Sequence, residues 1–203
     1  MLIKDQKIYT SGMMEEVSRC KKALELAGNG EIVTVVSSGD PGVYGMAGLV
    51  LELNKNEQFE VEIIPGISAV NAAASLLGAP LSHDFAVISL SDLLTPWEII
   101  EKRIKCAAEG DFVIAIYNPK SKRRVSQIIN ARDITMKYRS GTTPVGIVTN
   151  AYRKKQSIVL SNLKDFADKD INMLSVVIIG NSQTVLDKGR LITPRGYQSK
   201  YQV

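Results

Sequence analysis

The chain has 203 residues, 45% of them apolar and 23% charged, with a net charge of +4. This length suits one large core or two modest ones. Its apolar runs fall far short of the roughly 20 residues of a membrane span, and Lys4, Asp5 and Lys7 stand where a secretory signal needs an apolar stretch. The expectation is a cytoplasmic globular protein. The small, scattered positive charge argues against nucleic acid as a partner and suits a polyanionic small molecule. Cys20 and Cys106 lie in helical patterns with no second Cys or His at ligand spacing. No metal site is expected, and both read as buried or half-buried apolar residues.

Short β-rich runs alternate with helical patterns, the signature of an α/β fold with largely parallel sheets. A strand is expected at 8–10. A helix follows, capped by Ser11, with Met13, Val17, Cys20, Leu24 and Ala27 as its buried stripe, and Gly28 and Gly30 end it. Next come a strand at 31–37, a helix at 43–53, a strand at 59–64 and a helix at 68–77. Gly78-Ala-Pro80 is the best linker signal, which divides the chain into domains 1–80 and 81–203. The second half opens with a strand at 85–90. Thr95-Pro-Trp-Glu98 then reads as a capping box with Pro at the first helical position. Further strands are expected at 112–117, 145–149, 157–160 and 175–179, with a long helix at 124–138.

Ligands of parallel sheets bind beyond the carboxyl ends of strands, and four loops occupy such positions: 37–45, 65–69, 117–119 and 149–151. The first carries SGDPGVYG at 38–45. Asp40 there has two readings, a helix cap or a ligand-loop residue. The spacing matches neither a dinucleotide fingerprint nor a P-loop. PGISA at 65–69 likewise reads as a strand-to-helix turn capped by Ser68, or as a second ligand loop.

GDPxxYG followed by PGxSA resembles the tetrapyrrole methylase family, and LSHDFAVISLSDLLTPW at 81–97 is similar to its precorrin-3B C17-methyltransferase branch. DFVIAIYNPKSKR at 111–123, TPVGIV at 143–148, VIIGNS at 177–182 and ITPRGY at 192–197 agree in order, so the resemblance runs along the chain. It implies two α/β/α domains with the active site in a cleft between them. It also implies S-adenosylmethionine as methyl donor, a precorrin as substrate, C17 methylation with ring contraction, and a homodimer. Carried onto this chain, the family pattern implies cofactor contacts at Gly39, Asp40, Val43, Ser68, Ala69, Asn118 and Ala151.

Several other residues have a bland and a functional reading. His83, the one histidine, and Asp84 are candidates for proton transfer, against a solvated loop. Lys120, Lys122, Arg123 and Arg124 form the densest basic cluster. With Tyr44 and Asp92, Lys120, Arg123 and Arg124 are the candidate contacts to a substrate rich in carboxylates, against a solvated face for the basic cluster and a cap of the turn toward Thr95 for Asp92. The family's first strand, its GxGPG loop and the next helix and strand have no counterpart here. The expectation is therefore that upstream chain or a neighbouring subunit covers the gap, and that a longer form is more stable and more active. A sibling methyltransferase acting on another tetrapyrrole or on a protein, as diphthine synthases do, and a non-catalytic subunit that binds S-adenosylmethionine, remain as alternatives.

Overall fold

The computed structural model describes residues 6–12 and 14–201. The chain divides into two compact units, Met1–Ser68 and Ala69–Val203. The sequence signal for a boundary was the Gly-Pro pair at 78–80. The helix before that pair, however, packs on the sheet of the second unit.

The first unit contains helix α1 (Glu16–Gly28) and helix α2 (Ala47–Leu53), which pack on each other. Gly30, at φ +83°, turns the chain out of α1 as its glycine signal indicated. Ser11 is not the cap of α1: its hydroxyl accepts the Arg19 Nε–H at 2.6 Å, and the helix begins only after Glu15. Cys20 and Leu26 are buried on α1, whereas Val17 is exposed and Met13 of the expected stripe lies outside the described residues. The strands expected at 8–10, 31–37 and 59–64 carry no ladder among the described residues. A β-branched run declares that a segment is fit to pair, but a strand exists only where a neighbour takes its N–H and C=O groups. Ile32, Val36 and Ile64 on these segments are exposed.

The second unit is a three-layer α/β/α structure. It starts with α3 (Ala69–Leu77), β1 (Gly78–Ala79), β2 (Phe85–Ser89), α4 (Trp97–Glu109), β3 (Val113–Tyr117) and α5 (Ser126–Thr135). It continues with β4 (Pro144–Thr149), β5 (Ser157–Asn162), β6 (Ser175–Ile179), β7 (Val185–Asp187), β8 (Arg190–Ile192) and α6 (Tyr197–Lys200). The main sheet has the order β2-β3-β6-β4-β5, and a small sheet has the order β1-β8-β7. The main sheet is mixed rather than largely parallel. β2 and β3 run parallel, while β6 lies antiparallel between β3 and β4, and β4 and β5 form a hairpin. The loop at 150–156 is too short for a crossover, so β4 and β5 can only be antiparallel.

Both faces of the main sheet are covered, so its central strands read as continuous apolar runs. Ile114, Ile116, Val145, Ile147, Val177 and Ile179 face α4 and α5, around Ile100, Ile104, Ile128 and Phe166. The alternate residues Val113, Ala115, Val148, Val176 and Ile178 face Val70, Ala73 and Leu77 of α3. The proposed capping box at 95–98 is corrected by one position: Pro96 is itself the N-cap, with no side-chain cap bond. Trp97 Nε1–H instead donates to Glu101 Oε1 at 2.8 Å, one turn on. Cys106 is exposed, because it falls beside the stripe formed by Ile100, Ile104, Ala107 and Ala108. No described helix is long and apolar enough to cross a membrane, and no described His, Cys, Asp and Glu cluster could hold a metal.

Candidate functional site

In the first unit the two glycine-bearing loops are tied together by one carboxylate. Asp40 Oδ1 accepts the Gly42 N–H at 2.8 Å, and Oδ2 accepts the Gly66 N–H at 3.0 Å across 26 positions of sequence. These bonds, led by that from Gly66, hold the Asp40 carboxyl below its usual pKa of 3.8. α2 starts only at Ala47, so Asp40 does not cap it. The loops meet backbone to backbone: a Cβ on Gly66 would lie 2.3 Å from the Gly39 carbonyl oxygen, and one on Gly45 would lie 2.5 Å from that of Pro41. Gly39, at φ +84°, occupies the left-handed region open to glycine. Tyr44 sits in the same region at φ +56°, with its ring exposed, and Val43 is partly exposed beside it. Ser68 is buried at the end of the second loop. Gly39, Asp40, Val43 and Ser68 are thus carried on two loops fixed to each other, a link that the sequence did not reveal.

In the second unit the C-terminal ends of β2, β3 and β4 share one edge of the main sheet, with Ser89 in register with Tyr117 and Thr149 with Ser175. Asn118 follows β3 at φ +49°, and Asn150 follows β4 at φ +54°. Non-glycine residues held there carry strain, which surrounding bonds must sustain. Asn118 Nδ2–H donates to Ser89 Oγ at 3.0 Å, and the Asn118 carbonyl accepts from Arg124 Nη2 at 2.7 Å. Ala69, Ala151 and Tyr117 pack against one apolar cluster that includes Val70, Ala73 and Val148. Three positions implied for the cofactor, Ala69, Asn118 and Ala151, therefore belong to one braced region of this unit.

The basic cluster separates into two roles. Arg124 is half-buried and braces its own loop, with Nη2 also 3.5 Å from Met173 Sδ. Lys120 and Arg123 have no acidic partner among the described residues. Asp92 accepts from Gln127 Nε2 at 2.9 Å, which joins the loop after β2 to the start of α5. Leu93 and Leu94, next to Asp92, are 70% and 92% exposed. Their signal in the sequence is two adjacent leucines in a loop, outside any helical or strand period.

His83 and Asp84 are not brought to this edge. They precede β2, and the Asp84 carbonyl accepts from Val113 at the start of β3. Five strand rises, about 17 Å, separate Asp84 from Ser89 at the far end of β2, where Asn118 is bonded to it. His83 Nδ1 accepts the Asp84 N–H at 2.8 Å, and both side chains are exposed. The pair has no place in the braced region of this unit, because residues at opposite ends of one strand cannot reach a common point.

The family model for tetrapyrrole (corrin/porphyrin) methylases matches residues 3–167. The chain belongs to the tetrapyrrole methylases. Among its tetrapyrrole methylase relatives, a cobalt-factor III methyltransferase of Priestia megaterium is 55% identical over 98% of this chain. A probable cobalt-factor III C(17)-methyltransferase of Salmonella typhimurium is 52% identical over 95%. The chain spans 38% of the length of the first and 81% of the second. The crystal structure of the methyltransferase CobJ matches with a TM-score of 0.86 at 39% identity, covering 92% of this chain and 80% of that one. As a tetrapyrrole methylase the chain has the expected α/β class, and its second unit shows the expected α/β/α layering.

Proposed function

We propose that this tetrapyrrole methylase transfers the methyl group of S-adenosylmethionine to C17 of a precorrin-3-type macrocycle, with or without cobalt, and that ring contraction accompanies the transfer. The observation that carries this reading is the identity of 52–55%, over nearly the whole chain, to relatives named for cobalt-factor III methylation. The loops fit the donor: a cofactor that combines an adenosine with an amino acid is read by main-chain groups of rigid small-residue loops. Gly39, Asp40, Val43, Ser68 and Ala69 with Asn118 and Ala151 would hold it. When bound, it supplies an electrophilic methyl group whose bond to sulfur breaks as the macrocycle carbon donates its electron pair, leaving S-adenosylhomocysteine.

The chain's own residues then have to bind, orient and exclude water, since alignment of two bound reactants supplies most of the rate. Asp40 fixes the two loops of the first unit by its paired amide bonds. Lys120 and Arg123 offer cations to the carboxylates of the macrocycle, and Leu93 and Leu94 offer apolar surface to its ring. Tyr44 and Asp92 keep the substrate-side roles for which the sequence makes them candidates. Arg124 acts indirectly, by holding the Asn118 carbonyl. His83 and Asp84 take no part. We further propose that the protein works in the cytoplasm as a homodimer, for which the exposed Ile32, Val36 and Ile64 supply apolar surface to cover.

The test is to incubate the protein with labelled S-adenosylmethionine and either cobalt-containing or cobalt-free precorrin-3, then locate the label in the product. Label at C17 supports the proposal, and the better substrate identifies the metal state. Label at another carbon, in a protein, or nowhere while S-adenosylhomocysteine still binds, overturns it in favour of a sibling enzyme or a binding subunit.

A further inference from the structure

We propose that Tyr117 is a positioning residue for the cofactor, acting through the start of α3 without touching the cofactor. The inference rests on the cofactor reading above and names a residue which that reading does not use. The first N–H groups of a helix have no partner within it. Val70 is the second residue of α3, and its N–H donates to the phenol oxygen of Tyr117 at 2.8 Å. Tyr117 is the last residue of β3 and immediately precedes Asn118. One side chain therefore fixes Ala69, where α3 begins, relative to the end of β3. Ala69, Tyr117 and Ala151 also pack on the same apolar cluster.

The bond is partly buried, so water replaces it poorly. A second tyrosine provides an internal comparison. Tyr152, which follows Ala151, makes a 3.0 Å hydroxyl contact with Ser75 further along α3, but in an exposed position. Water replaces that contact readily, and it does not reach the start of the helix. The two phenols thus hold one helix at two points, and only that of Tyr117 acts at the end that bears Ala69.

Tyr117→Phe removes the oxygen and keeps the ring in its packing. S-adenosylhomocysteine binding is measured by calorimetry well below the melting temperature for the wild type, Tyr117→Phe and Tyr152→Phe, and hydrogen exchange is read at the Val70 amide. Tyr117→Phe is expected to weaken binding roughly three- to tenfold and to speed exchange at Val70, with Tyr152→Phe changing binding less than about twofold. In turnover, the KM for S-adenosylmethionine should rise while kcat at saturation stays within about twofold. Unchanged affinity in Tyr117→Phe, or equal losses in the two variants, overturns the inference while the cofactor reading stands. If the wild type binds no S-adenosylhomocysteine, the cofactor reading falls and this inference falls with it.

Discussion

Asp40 shows how one residue acquires a role that its neighbours in sequence do not disclose. Read along the chain it has the options of a helix cap or a ligand contact; in the fold its carboxylate accepts amides from two loops 26 positions apart. Asp40→Asn leaves one carbonyl oxygen and an amide nitrogen that cannot accept, so one of the two bonds is lost. The variant is expected to bind S-adenosylhomocysteine several-fold more weakly, with the circular dichroism spectrum of the chain unchanged. The folded pKa of Asp40 lies below the unfolded value of about 3.8. Its contribution is therefore fully present above the unfolded pKa and is lost as pH falls through the folded one. The Gly66 amide resonance should accordingly be flat between pH 5 and 8 and shift only in strongly acidic solution. A midpoint at or above pH 4 would contradict the bonding described.

At the scale of elements, two contacts decide how the layers of the second unit fit. A Cβ on Gly146 of β4 would lie 2.5 Å from the side-chain methyls of Leu77 of α3, so that side chain rests directly on the strand backbone there. Gly146→Ala is expected to cost about 1–3 kcal/mol by overpacking. In the background of Leu77→Ala the same substitution should cost much less, because the clashing atoms are gone. Additive losses in thermal melts would argue against this packing. At the opposite edge from the braced loops, buried Arg139 donates to the carbonyls of Gly180, Ala107 and Phe112, with Asp111 at 3.6 Å. Burial pulls its pKa down and Asp111 opposes the shift, and a guanidinium keeps its proton in a folded protein. Arg139→Leu strands these acceptors and is expected to cost about 3–5 kcal/mol, and Arg139→Lys should rescue little because one ammonium cannot reproduce the fork. A melting temperature within a degree or two of wild type would refute that role.

At the scale of the whole molecule, charge and apolar surface make separate predictions. Lys120→Ala with Arg123→Ala is expected to weaken macrocycle binding several-fold and flatten its dependence on salt, while S-adenosylhomocysteine binding holds, since screening acts on exposed charges. Equal losses for both ligands would indicate damage to the fold instead. Sedimentation is expected to find a dimer at micromolar concentration, and a monomer would remove the support taken from Ile32, Val36 and Ile64.

The strong apolar runs of the second unit, its helices α3, α4 and α5 and the Gly-rich loops were legible in the sequence, because local propensity and tertiary packing agree there. Strand β6, for example, occupies the expected 175–179. The family was legible too, through GDPGVYG and PGISA with the segments that follow them in order. Only the tertiary structure decided that β6 inserts antiparallel between β3 and β4, that 31–37 and 59–64 carry no ladder among the described residues, and that α3 belongs with the second unit. It also separated His83 and Asp84 from Asn118 by the length of β2, and gave Tyr117 and Asp40 partners 47 and 26 positions away. The reason is physical: propensity and periodicity are properties of neighbouring residues, whereas a ladder, a buried acceptor and a bridging carboxylate exist only when distant segments supply the other half of the bond.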